Sequence, residues 1–203
     1  MLSAALFFFI SQAKPREQLS ATRPHPSIFC PYFFISLLGQ FSVHLGFLVY
    51  MYNMSLAAMS PEERLPAEGP FKPNLVNSVT YFVEAFIQLS TFTVNYMGHP
   101  FNNSISENRI MSNTLKYMAV YLCVVLFDLV PGLGGWFGMV PIPNHMRIQL
   151  VLIAAAAFSF NWTLEHTLRR VFPAAIPPEK GYMYYLTSQP TAKASKKNKS
   201  KVE

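Results

Sequence analysis

Apolar residues gather in four long runs along this chain: Ile28–Met51, Leu75–Met97, Leu115–Trp136 and Ile148–Phe172. Polar segments separate them. A helix needs about 20 mostly apolar residues to cross the hydrocarbon core of a bilayer, and each run meets that length. The pattern predicts an all-α fold, a polytopic membrane helix bundle with four full spans. A further run, Leu2–Ile10, is too short to span, and no basic segment precedes it as a secretory signal would require. It reads as the end of a truncated transmembrane helix that begins upstream. The predicted organisation is a helix end over 1–11, a cytosolic loop over 12–27, a four-span membrane domain over 28–172 and a basic cytosolic tail over 173–203.

Polar residues inside the runs interrupt the apolar pattern with their own period. Glu84, Gln88, Thr91 and Asn95 stand at i, i+4, i+7 and i+11, and so share one helix face. In the first run Ser36, Gln40 and His44 repeat the spacing. Two roles suit such faces in a membrane: a polar lining for a substrate path, or hydrogen bonds that hold helices together. Glu84, Gln88, Thr91, Asn95, Gln40 and His44 are the candidates for either. Glu165 and Arg169 stand at i, i+4 in the fourth run and predict a local ion pair. No His, Cys or carboxylate set has ligand spacing, so no metal site is expected in this chain.

Charge decides the orientation. Only 13% of the 203 residues are charged and 51% are hydrophobic, with 18 Phe. The net charge of +6 is concentrated in loops and tail rather than on a folded face, which argues against nucleic acid as a partner. Four spans place segments 12–27 and 98–114, with Lys116, on the same side as the tail. That side holds thirteen of the 16 Lys and Arg, and by the positive-inside rule it is cytosolic. The Pro-rich loop Ser60–Asn74 and the turn Pro131–Pro143 then face the lumen. Cys30 and Cys123 both fall in apolar runs and read as two buried thiols rather than a disulfide.

The sequence contains no recognisable nucleophile–base pair or phosphate cradle. Pro131-Gly132-Leu133-Gly134-Gly135 has no Lys-Ser/Thr after it and reads as a helix stop and turn. No catalytic residue and no cofactor is therefore expected in this chain. The last five residues, Lys199-Ser200-Lys201-Val202-Glu203, put lysines third and fifth from the end. That spacing matches the dilysine retrieval signal of endoplasmic-reticulum membrane proteins, a receptor-read address.

These residues carry a resemblance. Lys14-Pro15 through Arg23-Pro24, Gln40-Phe41-Ser42-Val43-His44, the stretch Ser90-Thr91-Phe92-Thr93-Val94-Asn95-Tyr96-Met97-Gly98-His99-Pro100-Phe101, and Trp162 with Glu165-His166 resemble the C-terminal membrane region of the type 5A P-type ATPases. That family comprises the endoplasmic-reticulum transmembrane-helix dislocases. The resemblance implies a fragment or short isoform whose four spans are helices seven to ten. It also implies a full-length parent that uses ATP and magnesium to remove mistargeted or mis-inserted transmembrane helices. The phosphorylated Asp motif and nucleotide domain of the family are absent from this chain, so it is expected to be inert alone. The partners implied are membrane lipid, the rest of the ATPase and, through the parent, transmembrane-helix substrates. The implied location is the endoplasmic-reticulum membrane, multi-pass, with a cytosolic C-terminus. The other expectation the residues leave open is a self-contained four-span membrane scaffold or assembly factor.

Overall fold

A computed structural model describes residues 2–11, 25, 27–61, 64 and 72–173. Lys199, Lys201 and the rest of the basic tail, with Lys14, Arg16 and Arg23, lie outside the described residues. Those residues form six helices: α1 (Leu2–Ser11), α2 (Pro31–Ala58), α3 (Leu75–Val94), α4 (Arg109–Leu126), α5 (Leu133–Trp136) and α6 (Asn144–Val171). Among the described residues no β-strand forms, so the all-α expectation holds.

The helix starts follow from local chemistry. Pro31 opens α2 at a position where its missing N–H costs nothing. Asn74 caps α3 by accepting the Asn77 N–H at 2.8 Å, and Asn108 caps α4 by accepting that of Met111 at 3.2 Å. Arg169 and Arg170 occupy the last turn of α6, where cations meet the negative end of the helix dipole.

Two helices, α2 and α6, each of 28 residues, are both long and apolar enough to cross a membrane. At 1.5 Å per residue each is about 42 Å long, more than the hydrocarbon core requires. α3 coincides with the second apolar run, but Asn77, Glu84 and Gln88 dilute its apolar character. The third run, Leu115–Trp136, is not one helix. α4 begins at its Asn108 cap, before the run, and ends at Leu126. Asp128 then takes a positive φ of 51° and Gly132 one of 81° before the single turn of α5. Gly132 is suited to that left-handed position because it has no Cβ. The turn leaves Trp136 92% exposed.

α3 lies at the centre and packs against α2, α4 and α6; α2 also packs against α6, and α1 against α4. Met51, Val79, Phe82, Val83, Met111, Leu122, Met146 and Leu150 form the buried core. Outside it, α2 turns Phe33, Phe34, Leu37, Leu38 and Phe41 outward, an apolar flank of the kind that marks a membrane or partner contact. Gly39 lets α2 approach α6 closely: a Cβ there would stand 2.6 Å from Leu164 Cδ2. The cysteines are free, but they are not both buried. Cys30 is half-buried, and Cys123 is exposed because it falls on the outer face of α4.

Candidate functional site

The start of α2 and the ends of α3 and α6 meet at one end of the bundle, and their polar faces turn toward one another there. The centre of the junction is the carboxylate of Glu165, 4% exposed. Ser36 Oγ donates to its Oε2 at 2.6 Å and Arg169 Nε to its Oε1 at 2.9 Å. Tyr32 Oη also donates to Oε1, and Gln40 Nε2 lies 3.4 Å from Oε2. The i, i+4 pair of Glu165 and Arg169 is thus formed, and α2 supplies the other donors.

Gln40 extends the network to α3. Its Nε2 donates to Asn95 Oδ1, and Asn95 Nδ2 donates back to Gln40 Oε1, each at 3.0 Å. Arg169 Nη2 reaches the Val94 carbonyl at 3.3 Å. That carbonyl belongs to the last turn of α3, which has no partner within its own helix. One turn deeper, His44 Nε2 sits 3.2 Å from Asn161 Nδ2 and 3.5 Å from Thr91 Oγ1. His44 Nδ1 and Asn161 Oδ1 are buried without a hydrogen-bond partner among the described residues. A cleft of about 450 Å³ opens over these groups, walled by Phe33, Leu37, Phe41 and Met97.

The polar faces of the first and second runs therefore meet through Gln40 with Asn95 and His44 with Thr91. The other half of the α3 face does not join. Glu84 is exposed and Gln88 half-buried, and neither has a hydrogen-bond partner among the described residues. Sequence reasoning missed Tyr32 and the central position of Glu165. Extending the Ser36, Gln40, His44 spacing one turn back reaches Tyr32, so the signal for that residue was present. Pairing α2 with α6 required the fold.

Beside the junction, residues 95–108 form a loop tied by its own contacts. Tyr96 Oη donates to the Asn103 carbonyl at 3.1 Å, and Asn102 Nδ2 to that of Met97 at 3.2 Å. Glu107 Oε2 accepts the Ser104 N–H at 2.7 Å and pairs with His99 Nε2 at 2.9 Å. The Ser104 backbone bond, followed by the His99 contact, holds the Glu107 carboxyl below its ordinary value of 4.5.

No protein-family model matches the chain. It is 46% identical over 176 residues to a probable manganese-transporting ATPase of Arabidopsis thaliana, a match covering 87% of this chain and 15% of that protein. It is 33% identical over 172 residues to an endoplasmic reticulum transmembrane helix translocase of Aspergillus fumigatus, covering 85% and 13%. A Schizosaccharomyces pombe protein of the same description is 32% identical over 179 residues, covering 88% and 15%. The chain belongs to the type 5A P-type ATPases. The resemblance drawn from residues such as 90–101 is confirmed, and the chain spans only 13–15% of the length of these relatives. In this type 5A chain, the loop 95–108 and the Glu165 junction are adjoining parts of one end of the bundle.

Proposed function

We propose that this chain is the C-terminal membrane support region of an ATP-driven dislocase that removes mistargeted or mis-inserted transmembrane helices from the endoplasmic-reticulum membrane. It crosses the bilayer four times, through α2, α3, α4 and α6, with the Glu165 junction and the loop 95–108 at the cytosolic face. The observation that carries the support role is the closed network around Glu165. It ties α2, α3 and α6 through hydrogen bonds among Tyr32, Ser36, Gln40, Asn95, Glu165 and Arg169, and such a junction fixes helix register rather than moving in a cycle. ATP and magnesium act in the remainder of the full-length parent, and the chain alone is inert. Three relatives carry the helix-translocase description, which favours that substrate class. Manganese transport is the description of a fourth. Among the described residues no three His, Cys, Asp or Glu side chains converge to hold a metal ion. Glu84 and Gln88, unpaired here, face helices of the parent or its substrate, because an unpartnered carboxylate in lipid is costly.

The test is to express the tagged chain alone and beside the complementary remainder of the ATPase. The chain alone should form no acid-stable phosphoenzyme from labelled ATP, and co-expression should restore both phosphorylation and helix extraction. Phosphoenzyme on the chain alone would sink the inert reading. Capture without any ATPase partner would favour a free-standing scaffold instead.

A further inference from the structure

A second cavity, also of about 450 Å³, opens between α4 and α6 above α3. Its floor is Phe86, Leu89 and Ser90 of α3. Leu115 and Ala119 of α4 form one wall; Val151, Ala154 and Ala155 of α6 form the other. The small side chains at 119, 154 and 155 leave the trough open. It runs from Ile105, in the loop 95–108, toward the middle of the bundle. The flanking surface is apolar and outward: Tyr117, Val120 and Leu152 are all exposed.

Two polar features define what fits the trough. Lys116 stands at its rim, exposed and without an ion pair or hydrogen bond among the described residues. Ser90 is 5% exposed, and its Oγ is buried without a partner. Thr93 and Ser112 add hydroxyls toward the loop end. The trough thus offers an apolar channel, a cation at its edge and an unused hydroxyl donor within.

We propose that this trough seats one anionic phospholipid of the surrounding bilayer, with an acyl chain between α4 and α6 and its phosphate against Lys116. The inference rests on the membrane-spanning reading above. A lysine at helix ends or within a span keeps its ammonium group toward the polar boundary, where an anionic headgroup neutralises it. An ester carbonyl is an acceptor for Ser90 Oγ. An apolar transmembrane helix in the same trough would supply no anion and would leave the Lys116 charge unpaired.

The experiment uses the full purified chain in detergent, with native mass spectrometry after addition of phosphatidylserine or phosphatidylcholine. The wild type should bind phosphatidylserine more tightly. Lys116→Gln should weaken phosphatidylserine binding about five-fold, the size expected for one basic residue beside an anionic surface, and leave phosphatidylcholine unchanged. Lys116→Arg should keep the preference. Equal phosphatidylserine binding by wild type and Lys116→Gln overturns the proposal. A photo-reactive side chain at position 155, irradiated in microsomes, should yield a phospholipid adduct; a polypeptide adduct without lipid would assign the trough to a helix. Alkali extraction separates the two layers of the argument. A chain released from the membrane defeats the spanning reading, whereas a retained chain with no lipid preference defeats the lipid site alone.

Discussion

A carboxylate inside a span is stable only where its lone pairs are taken up, and Glu165 meets that condition with Tyr32, Ser36 and Arg169. Glu165→Ala should therefore leave Arg169 without its counter-charge. Breaking a buried pair typically costs about 3–5 kcal/mol. Arg169 keeps 40% of its side chain accessible, so the loss belongs at the low end of that range. Glu165→Leu with Arg169→Met should recover most of it, and denaturation in mild detergent would distinguish the two. Equal destabilisation by both variants would mean that packing, not charge, holds the junction. Glu107 answers to pH instead. Its folded carboxyl is held below the ordinary 4.5, so its contribution to the loop is present above that value and lost as pH falls through the depressed one. Exchange of the Ser104 amide, corrected for its intrinsic rate, should accelerate on acidification in the wild type. In Glu107→Gln the added acceleration should be absent. The periodicity of Ser36, Gln40 and His44 and of Thr91 and Asn95 was legible in the sequence. Which residue each would meet on another helix was not, because those partners lie 47 to 129 positions away.

Helices read differently from residues. Apolar runs located α2, α3 and α6 to within a turn or two at most ends, because burial or lipid contact imposes one character over many positions. α4 was misjudged at both ends. Its start is set by the Asn108 side chain, and its stop by the positive φ of Asp128 ahead of Pro131. Hydropathy sees neither, since Phe127, Leu129 and Val130 continue the apolar run through the turn. The close crossing of α2 and α6 at Gly39 was likewise silent until Leu164 was placed against it. Small residues at such crossings let backbones approach. Gly39→Leu should push the helices apart and destabilise the bundle by about 1–3 kcal/mol, the range for overpacking. Gly46, which has open space around its Cβ position, should tolerate the same change. Comparing the two variants by thermal unfolding in detergent checks the crossing. Equal tolerance at both sites would place the contact elsewhere.

For the molecule as a whole, the charge asymmetry along the sequence predicts one orientation in the bilayer. With Cys30 and Cys123 replaced by Ser, a single cysteine at Glu63 should be protected from impermeant reagent in sealed microsomes and labelled once they are opened. A cysteine at Ser106, in the loop beside the Glu165 junction, should show the opposite behaviour. Labelling of position 63 in intact vesicles would invert the topology. Family membership and the all-α class were both legible before any coordinates, the first through the stretch 90–101 and the second through the runs. The number of crossings was less so: among the described residues two helices, α2 and α6, are long and apolar enough to cross, while polar residues such as Glu84 in α3 and Lys116 in α4 interrupt the other two.

The exposed Trp136 at the turn before α6 has a spectroscopic consequence. The chain contains two tryptophans, and the other, Trp162, is stacked between Phe158 and His166 on α6 with ring centroids at 6.0 and 5.8 Å. One indole stands free at a helix boundary and the other is clamped on a helix flank, 26 residues further along. Their emission should differ in maximum and in anisotropy, and brominated lipids of graded depth should quench them in two separate zones. With Trp136→Phe isolating the stacked indole, the protein becomes its own depth gauge, reporting without an attached dye how the bundle sits in a bilayer of given thickness.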